Sequence, residues 1–239
     1  MNCYLLIGLL LFTVNMSGYS QQPDTSFTYL NDHPAYQQGT GPTITIDEAH
    51  HNFHTAEEGL LPLVNLLRGD GYRFQSNRAT FNHSVLDSKE ILIIVNALHV
   101  RNITHWTIPT PSAFTTAEIN DIRQWVENGG SLLLIADHMP FAGAAQALGE
   151  AFGFNYLNGF ARTGPSFWPP SGFNRQEGTL HDHFITRGLQ PKDSIHQVLT
   201  FTGSALHIPE EARPILSFRP QQDSIFFPDT AWQFTPQTE

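Results

Sequence analysis

Two uninterrupted apolar runs constrain this chain more than any other feature: "EILIIVNAL" at 90–98 and "SLLLIAD" at 131–137. Neither run alternates with polar residues, so neither has a solvent face. A strand that is apolar on both sides belongs inside a parallel sheet that is covered above and below. Between the runs lies a segment of helical period. Ile119, Ile122, Trp125 and Val126 fall on one face, Thr115 and Glu118 make a T-x-x-E capping box at the start, and Gly129-Gly130 ends it. Strand, helix and strand in that order predict a right-handed βαβ crossover.

The same pattern extends in both directions. "TITID" (43–47) predicts a first strand, and "RFQSNRATF" a weak second one. Between them Thr55 and Glu58 form another T-x-x-E box before Leu60, Leu63, Val64 and Leu67. Pro62 places the helix start near itself or kinks the helix there, and Gly69 or Gly71 stops it. After the fourth strand, Pro140 opens a small-residue helix that Gly153 closes, with Ala144, Ala145 and Leu148 toward the sheet. The predicted fold class is α/β and flavodoxin-like, a mostly parallel sheet flanked by helices. One domain spans 43–239, and its part from 155 to 239 is a β- and loop-rich extension. Residues 21–42 read as an exposed lead-in.

The first twenty residues stand apart. "CYLLIGLLLFTV" is shorter than the ~20 apolar residues that a spanning helix needs. Small residues Gly18 and Ser20 follow it, so 1–20 is expected to be a signal peptide cleaved before Gln21. The mature chain is then exported, periplasmic or secreted, with no membrane span. It also loses Cys3, the only cysteine, and with it any disulfide, thiolate ligand or cysteine nucleophile. A net charge of −10 with no Lys/Arg cluster excludes a nucleic-acid partner and disfavours an anionic membrane surface.

In open α/β sheets, ligands bind outside the carboxyl ends of the strands. Asp47, Glu48, His50, His51, Asn52 and His54 follow the first strand, Asn96 and His99 the third, and Asp137, His138 and Met139 the fourth. In the strand order 2-1-3-4 these three ends share one edge. Two readings of that edge stand side by side. In one, His50, His99, His138 and Asp137 hold a divalent metal such as zinc, manganese or iron and leave a position for water. Glu48 is then the base, and Asp47, Glu48, Asp137 and His138 are the catalytic set of a metal-assisted hydrolase. The spacing matches no known zinc signature: His50 and His54 are four apart, but His51 stands where H-E-x-x-H needs glutamate. In the other reading the carboxylates cap backbone N–H groups, the histidines pack, and the edge binds a small molecule, a glycan or a protein without chemistry. Asn96 and Arg162 would then be polar contacts, and "FARTGPSFWPPSGF", with Phe160, Phe167, Trp168 and Phe173, an aromatic platform. His181-Asp182-His183 is a further polar cluster on an extended stretch. No G-x-S-x-G elbow is present, and "DEAH" without a phosphate loop is no helicase box.

The order "ITIDEAHHN", "ILIIVNAL", "FTTAEINDIRQWVENGGSLLLIADH" and a helix ending "FGF" resembles the glutamine-amidotransferase-like superfamily over residues 43–160. It looks closest to exported bacterial proteins of that superfamily related to GIFT-domain and ThuA-like proteins. The resemblance implies a flavodoxin-like sandwich. It also implies a cysteine at the elbow after a central strand, where this sequence has Asp137, His138 and Met139. Thiolate-dependent glutamine hydrolysis is therefore excluded. GIFT-type domains serve as scaffolds, which favours the binding reading. The resemblance further implies a C-terminal strand after the point where this sequence reads "AWQFTPQTE"; either the sequence stops short of that strand or this member lacks it.

Overall fold

The computed structural model describes residues 23, 24, 26, 28, 31–164 and 170–234; the expected signal peptide and Trp168 lie outside them. Strands β1 (Thr43–Asp47), β2 (Arg73–Asn77), β3 (Ile91–Val95) and β4 (Ser131–Ile135) form one parallel sheet in the order β2-β1-β3-β4. This is the flavodoxin-like order expected from the sequence. Each crossover carries a helix: α1 (Leu61–Gly69), α2 (His83–Leu86) and α3 (Thr116–Glu127). Helix α4 (Phe141–Glu150) follows β4.

Strand alternation explains why β3 is apolar throughout. Ile93 and Val95 point to one face, where they pack with Ile44, Ile46 and Val64 of α1. Leu92 and Ile94 point to the other, where Ile122 and Trp125 of α3 and Leu148 of α4 cover them. Each such fully buried side chain contributes about 1.5–3 kcal/mol. The Thr115–Glu118 capping box forms as its spacing predicts. Gly129, at φ +103°, ends α3, and the next residue lies against the Trp125 ring, where an added Cβ at Gly130 would come within 2.1 Å.

Three expectations need correction. Thr55 and Glu58 do not cap α1, which starts at Leu61 after Leu60, a cap residue with no side-chain bond. Pro62 explains the late start: a ring without N–H fits only the first turn. The third run does not continue as strand to 98, because the chain turns at Asn96. The fourth run, expected to be covered on both faces, is an edge strand, with Leu133 46% and Ile135 38% exposed. These two lie level with Ile93 and Val95 on the α1 side, but the cluster around α1 does not reach them. Along the lateral edge, the Tyr156 hydroxyl donates to the Leu134 carbonyl at 3.1 Å and the Ser204 hydroxyl to the Ala136 carbonyl at 3.1 Å. Side chains thus satisfy two carbonyls of this edge.

The extension contains β5 (Asn155–Tyr156), β6 (Phe160–Arg162), β7 (Ser171–Asn174), α5 (Phe184–Arg187), β8 (Gln197–Thr200), β9 (Leu206–His207) and β10 (Ser224–Phe226). They pair antiparallel as β5–β9, β6–β10 and β7–β8. Met139 packs with Phe160, Phe226 and Ala231, which fastens the extension to the loop after β4. Among the described residues no helix is long and apolar enough to cross a membrane.

Register makes the exposure of β4 testable. Ile93→Ala is expected to lower unfolding free energy by about 2–5 kcal/mol, whereas Leu133→Ala, its exposed partner one strand away, costs less than about 1 kcal/mol. Urea denaturation of both variants measures this. Equal losses would mean that the α1-side face of β4 is covered.

Candidate functional site

Asn96 joins the three strand ends into one unit. It is 3% exposed and sits at φ +47°, a left-handed conformation that asparagine tolerates better than most residues. There its backbone N–H donates to the Ile135 carbonyl (2.9 Å), and its own carbonyl accepts from the Phe53 amide (3.0 Å). Its side-chain Oδ1 accepts from the Asp137 amide at 2.8 Å. Two further bonds tighten the seam, Leu98 N–H to the His50 carbonyl (2.8 Å) and the Asn52 amide to the Val95 carbonyl (3.1 Å). Asp47, Asn96 and Asp137 therefore do share one edge.

That edge divides into a closed part and an open part. The closed part centres on His50, 5% exposed. Its Nδ1 lies 2.9 Å from Asp47 Oδ2 and its Nε2 2.9 Å from Glu118 Oε1. Phe81 stacks on the ring at 4.9 Å, and Phe114 lies tilted over it at 4.7 Å. Burial opposes charge on the imidazole, but Asp47 and then Glu118 outweigh it and hold His50 above its ordinary 6.5. Both nitrogens then carry protons and donate. Glu118 is saturated as well. Oε1 accepts from the Phe81 amide (3.1 Å) and from His50, while Oε2 accepts from the Thr115 amide (2.9 Å) and hydroxyl (2.8 Å). Burial raises its carboxyl, yet these donors win and hold it below 4.5.

The residues expected to form a metal centre each have other partners. His50 has no free nitrogen. His99 uses Nδ1 to accept from the Arg101 amide at 3.1 Å, capping a short 3-10 turn. His138 donates Nδ1–H to the Met139 carbonyl, which leaves its Nε2 lone pair 3.9 Å from Asp137 Oδ2. Among the described residues, no group of three or more His, Cys, Asp or Glu side chains is arranged to hold a metal ion. Glu48, the expected base, is occupied too. Its Oε1 accepts from the Ala56 amide (3.1 Å) and Ser76 hydroxyl (2.9 Å), and its Oε2 from Arg78 (3.1 Å). Burial works against its charge, but those donors hold it below the ordinary value.

The open part centres on Asp137. Its Oδ1 caps the His138 amide at 2.8 Å, and the Thr202 hydroxyl donates across both oxygens at 3.0 and 3.1 Å. About a quarter of the side chain stays open, 27%. His138 lies beside it with Nε2 3.9 Å from Asp137 Oδ2. Burial pushes His138 below 6.5 despite that carboxylate, and Nδ1–H donates to the Met139 carbonyl. His54, also half-buried, is pushed down by desolvation, with Asp137 as the charge opposing the shift. A chain of rings surrounds these groups. Phe160 stacks on His138 at 4.1 Å, Trp232 meets both edge-on at 4.9 Å, and Phe201 follows Trp232. On the other side Phe53 contacts His54, Trp106 and Phe141, and Trp106 and Phe141 reach His138. Phe53, Trp232 and Phe201 are 44%, 40% and 55% exposed.

Arg162 is not a surface contact. It is 1% exposed, Nη1 donates to the Phe201 carbonyl at 2.6 Å, and Nε has no partner among the described residues. Burial lowers its guanidinium. The triplet at 181–183 splits: His181 meets the Ser217 hydroxyl, Asp182 pairs with Arg187, and His183 caps α5. Sequence reading missed Glu118 as a partner of His50, together with Thr202, Phe53, Trp106, Phe201 and Trp232. No local signal marks these residues, because the extension delivers Phe201, Thr202 and Trp232 from 64–95 residues downstream of Asp137.

No family model matches this sequence, and no curated protein matches it. Among solved structures the chain is similar to the mmIFT52 N-terminal domain. The TM-score is 0.52 and the identity 17%, over 73% of this chain and 72% of that one. A putative ThuA-like protein from Bacteroides uniformis is similar with TM-score 0.39 and 18% identity, over 74% of this chain and 62% of that one. The chain shares the α/β fold of the mmIFT52 N-terminal domain, a parallel sheet flanked by helices.

The closed part yields a stability prediction. Breaking a buried pair by removing one partner costs about 3–5 kcal/mol, so His50→Gln and Glu118→Gln should each lower Tm by about 6–20 °C. The pH dependence fixes the sign. The folded value of His50 is raised, so its contribution is complete below 6.5 and disappears as pH rises through the raised value. The stability gap between wild type and His50→Gln should narrow from pH 6 toward alkaline pH. A constant gap across that range would mean that His50 is neutral in the folded protein.

Proposed function

We propose that this protein is a non-catalytic glycan-binding module whose site is the Asp137 end of the sheet edge. The carrying observation is one partly exposed carboxylate, fixed by Thr202 and the His138 amide, inside a rim of exposed rings from Phe53, Phe201 and Trp232. Saccharides present apolar C–H faces and hydroxyl edges. Flat rings receive the faces, and an ionised carboxylate accepts from the hydroxyls with bonds about twice as strong as neutral ones. His54 and His138, both held toward the neutral form, add polar edges without a competing positive charge. The exported location expected from residues 1–20 fits such a ligand.

The hydrolase reading has less support. The base it needs, Glu48, accepts three bonds, and the proposed ligand His50 is a buried bridge. Asp137 and His138 remain near each other, with Nε2 and Oδ2 3.9 Å apart, beyond hydrogen-bond distance.

A glycan array followed by calorimetric titration of the strongest saccharide tests the proposal. Trp232→Ala and Phe53→Ala should each weaken binding about 2–12-fold, from ~0.5–1.5 kcal/mol per ring contact. Asp137→Ala should weaken it about 10–150-fold, from ~1.5–3 kcal/mol for charged hydrogen bonds. A saccharide bound equally by all three variants, or no bound saccharide, overturns the reading. Release of reducing ends from the bound glycan would restore the enzyme.

A further inference from the structure

We propose a second ligand site in the extension, a cavity that takes a hydrocarbon chain ending in one carboxylate. The cavity measures about 990 Å³, at the upper end of the range for small-molecule sites. Leu157, Phe173, Ile215 and Ile225 are among its apolar walls. It is separate from the glycan site. Thr202 and Ser204 line the cavity, but their hydroxyls are spent on Asp137 and on the Ala136 carbonyl, so the segment 201–205 is a partition between the two.

Charge argues for an anionic head. The ionisable lining comprises Arg213, Arg219 and Asp223, with His181 and His207. Asp223 is cancelled: its Oδ1 lies 2.9 Å from Arg219 Nη2, and it also accepts from the Arg219 and Gly164 amides at 2.7 Å. Arg219 also meets Glu177 at 2.9 Å. Arg213 is exposed, and among the described residues no ion pair joins it to a carboxylate. Arg219 is thus answered by Asp223 and Glu177, and Arg213 is the cation of the lining that no carboxylate answers among the described residues. Ser217, 2.7 Å from His181 Nε2, puts a fixed hydroxyl on the same wall. Apolar walls with a few placed polar groups and one unspent cation match a fatty acid better than a neutral lipid.

Titration with a dansyl-labelled fatty acid, followed by displacement with palmitate or cetyl alcohol, tests the proposal. The expected result is saturable binding at one site and a palmitate preference of about tenfold or more, set by a charge-assisted bond. Arg213→Glu should erase that preference and leave cetyl alcohol unchanged. Lack of saturable fluorescence, equal displacement by acid and alcohol, or an undiminished preference in Arg213→Glu would each overturn the proposal.

Discussion

A buried histidine held between two carboxylates organises the upper edge of this sheet. His50 leaves β1 and turns back onto Asp47, then reaches 68 residues along the chain to Glu118 at the start of α3. Glu118 is also the capping residue of α3, so one carboxylate fixes the helix start and anchors the outlet of β1. Such a triad is held by complementarity rather than by charge alone. Desolvating the ions costs several kcal/mol each, and only a full set of partners repays it. Here every oxygen of Glu118 has two donors, and two phenylalanine rings close the faces of the imidazole.

With His50 fixed in this way, the rest of the edge follows. The loop after β1 is pinned to Asn96, and Asn96 in turn holds the Asp137 amide. Asp137 is therefore presented by a rigid seam, and its carboxylate is the acid of the edge left partly open. Histidines of one cluster consequently behave in opposite ways. His50 has two acids at hydrogen-bond distance and is pushed up; His138 has one at 3.9 Å and a shell of rings, and is pushed down. Environment rather than sequence proximity assigns their roles.

The sheet was legible because its signals are local. The apolar runs, the Thr115–Glu118 box and the Gly129-Gly130 stop each act within a few residues, and the strand order brought Asp47, Asn96 and Asp137 together as topology requires. Exposure of β4 was not legible, because a continuous apolar run looks the same whether or not a neighbour covers it. The site was legible only as an edge. That His50 pairs with Glu118 depends on a contact between the loop after β1 and the first turn of α3, and the rim residues Phe201 and Trp232 arrive through strands of two to four residues whose pairing no period announces. The "DEAHHNFH" stretch illustrates both outcomes. Its first histidine is buried as a bridge, its Glu48 is tied to Arg78, and its Phe53 and His54 open onto the Asp137 site.

The division into a charged, closed half and a neutral, open half is the central claim, and histidine NMR tests it most directly. Long-range 15N–1H spectra collected through a pH titration should show both His50 nitrogens as imidazolium at pH 6.5, with its midpoint above that value. They should show His138 still neutral at the same pH, with Nδ1 protonated. A midpoint for His50 at or below 6.5, or a protonated His138 at that pH, would contradict the account.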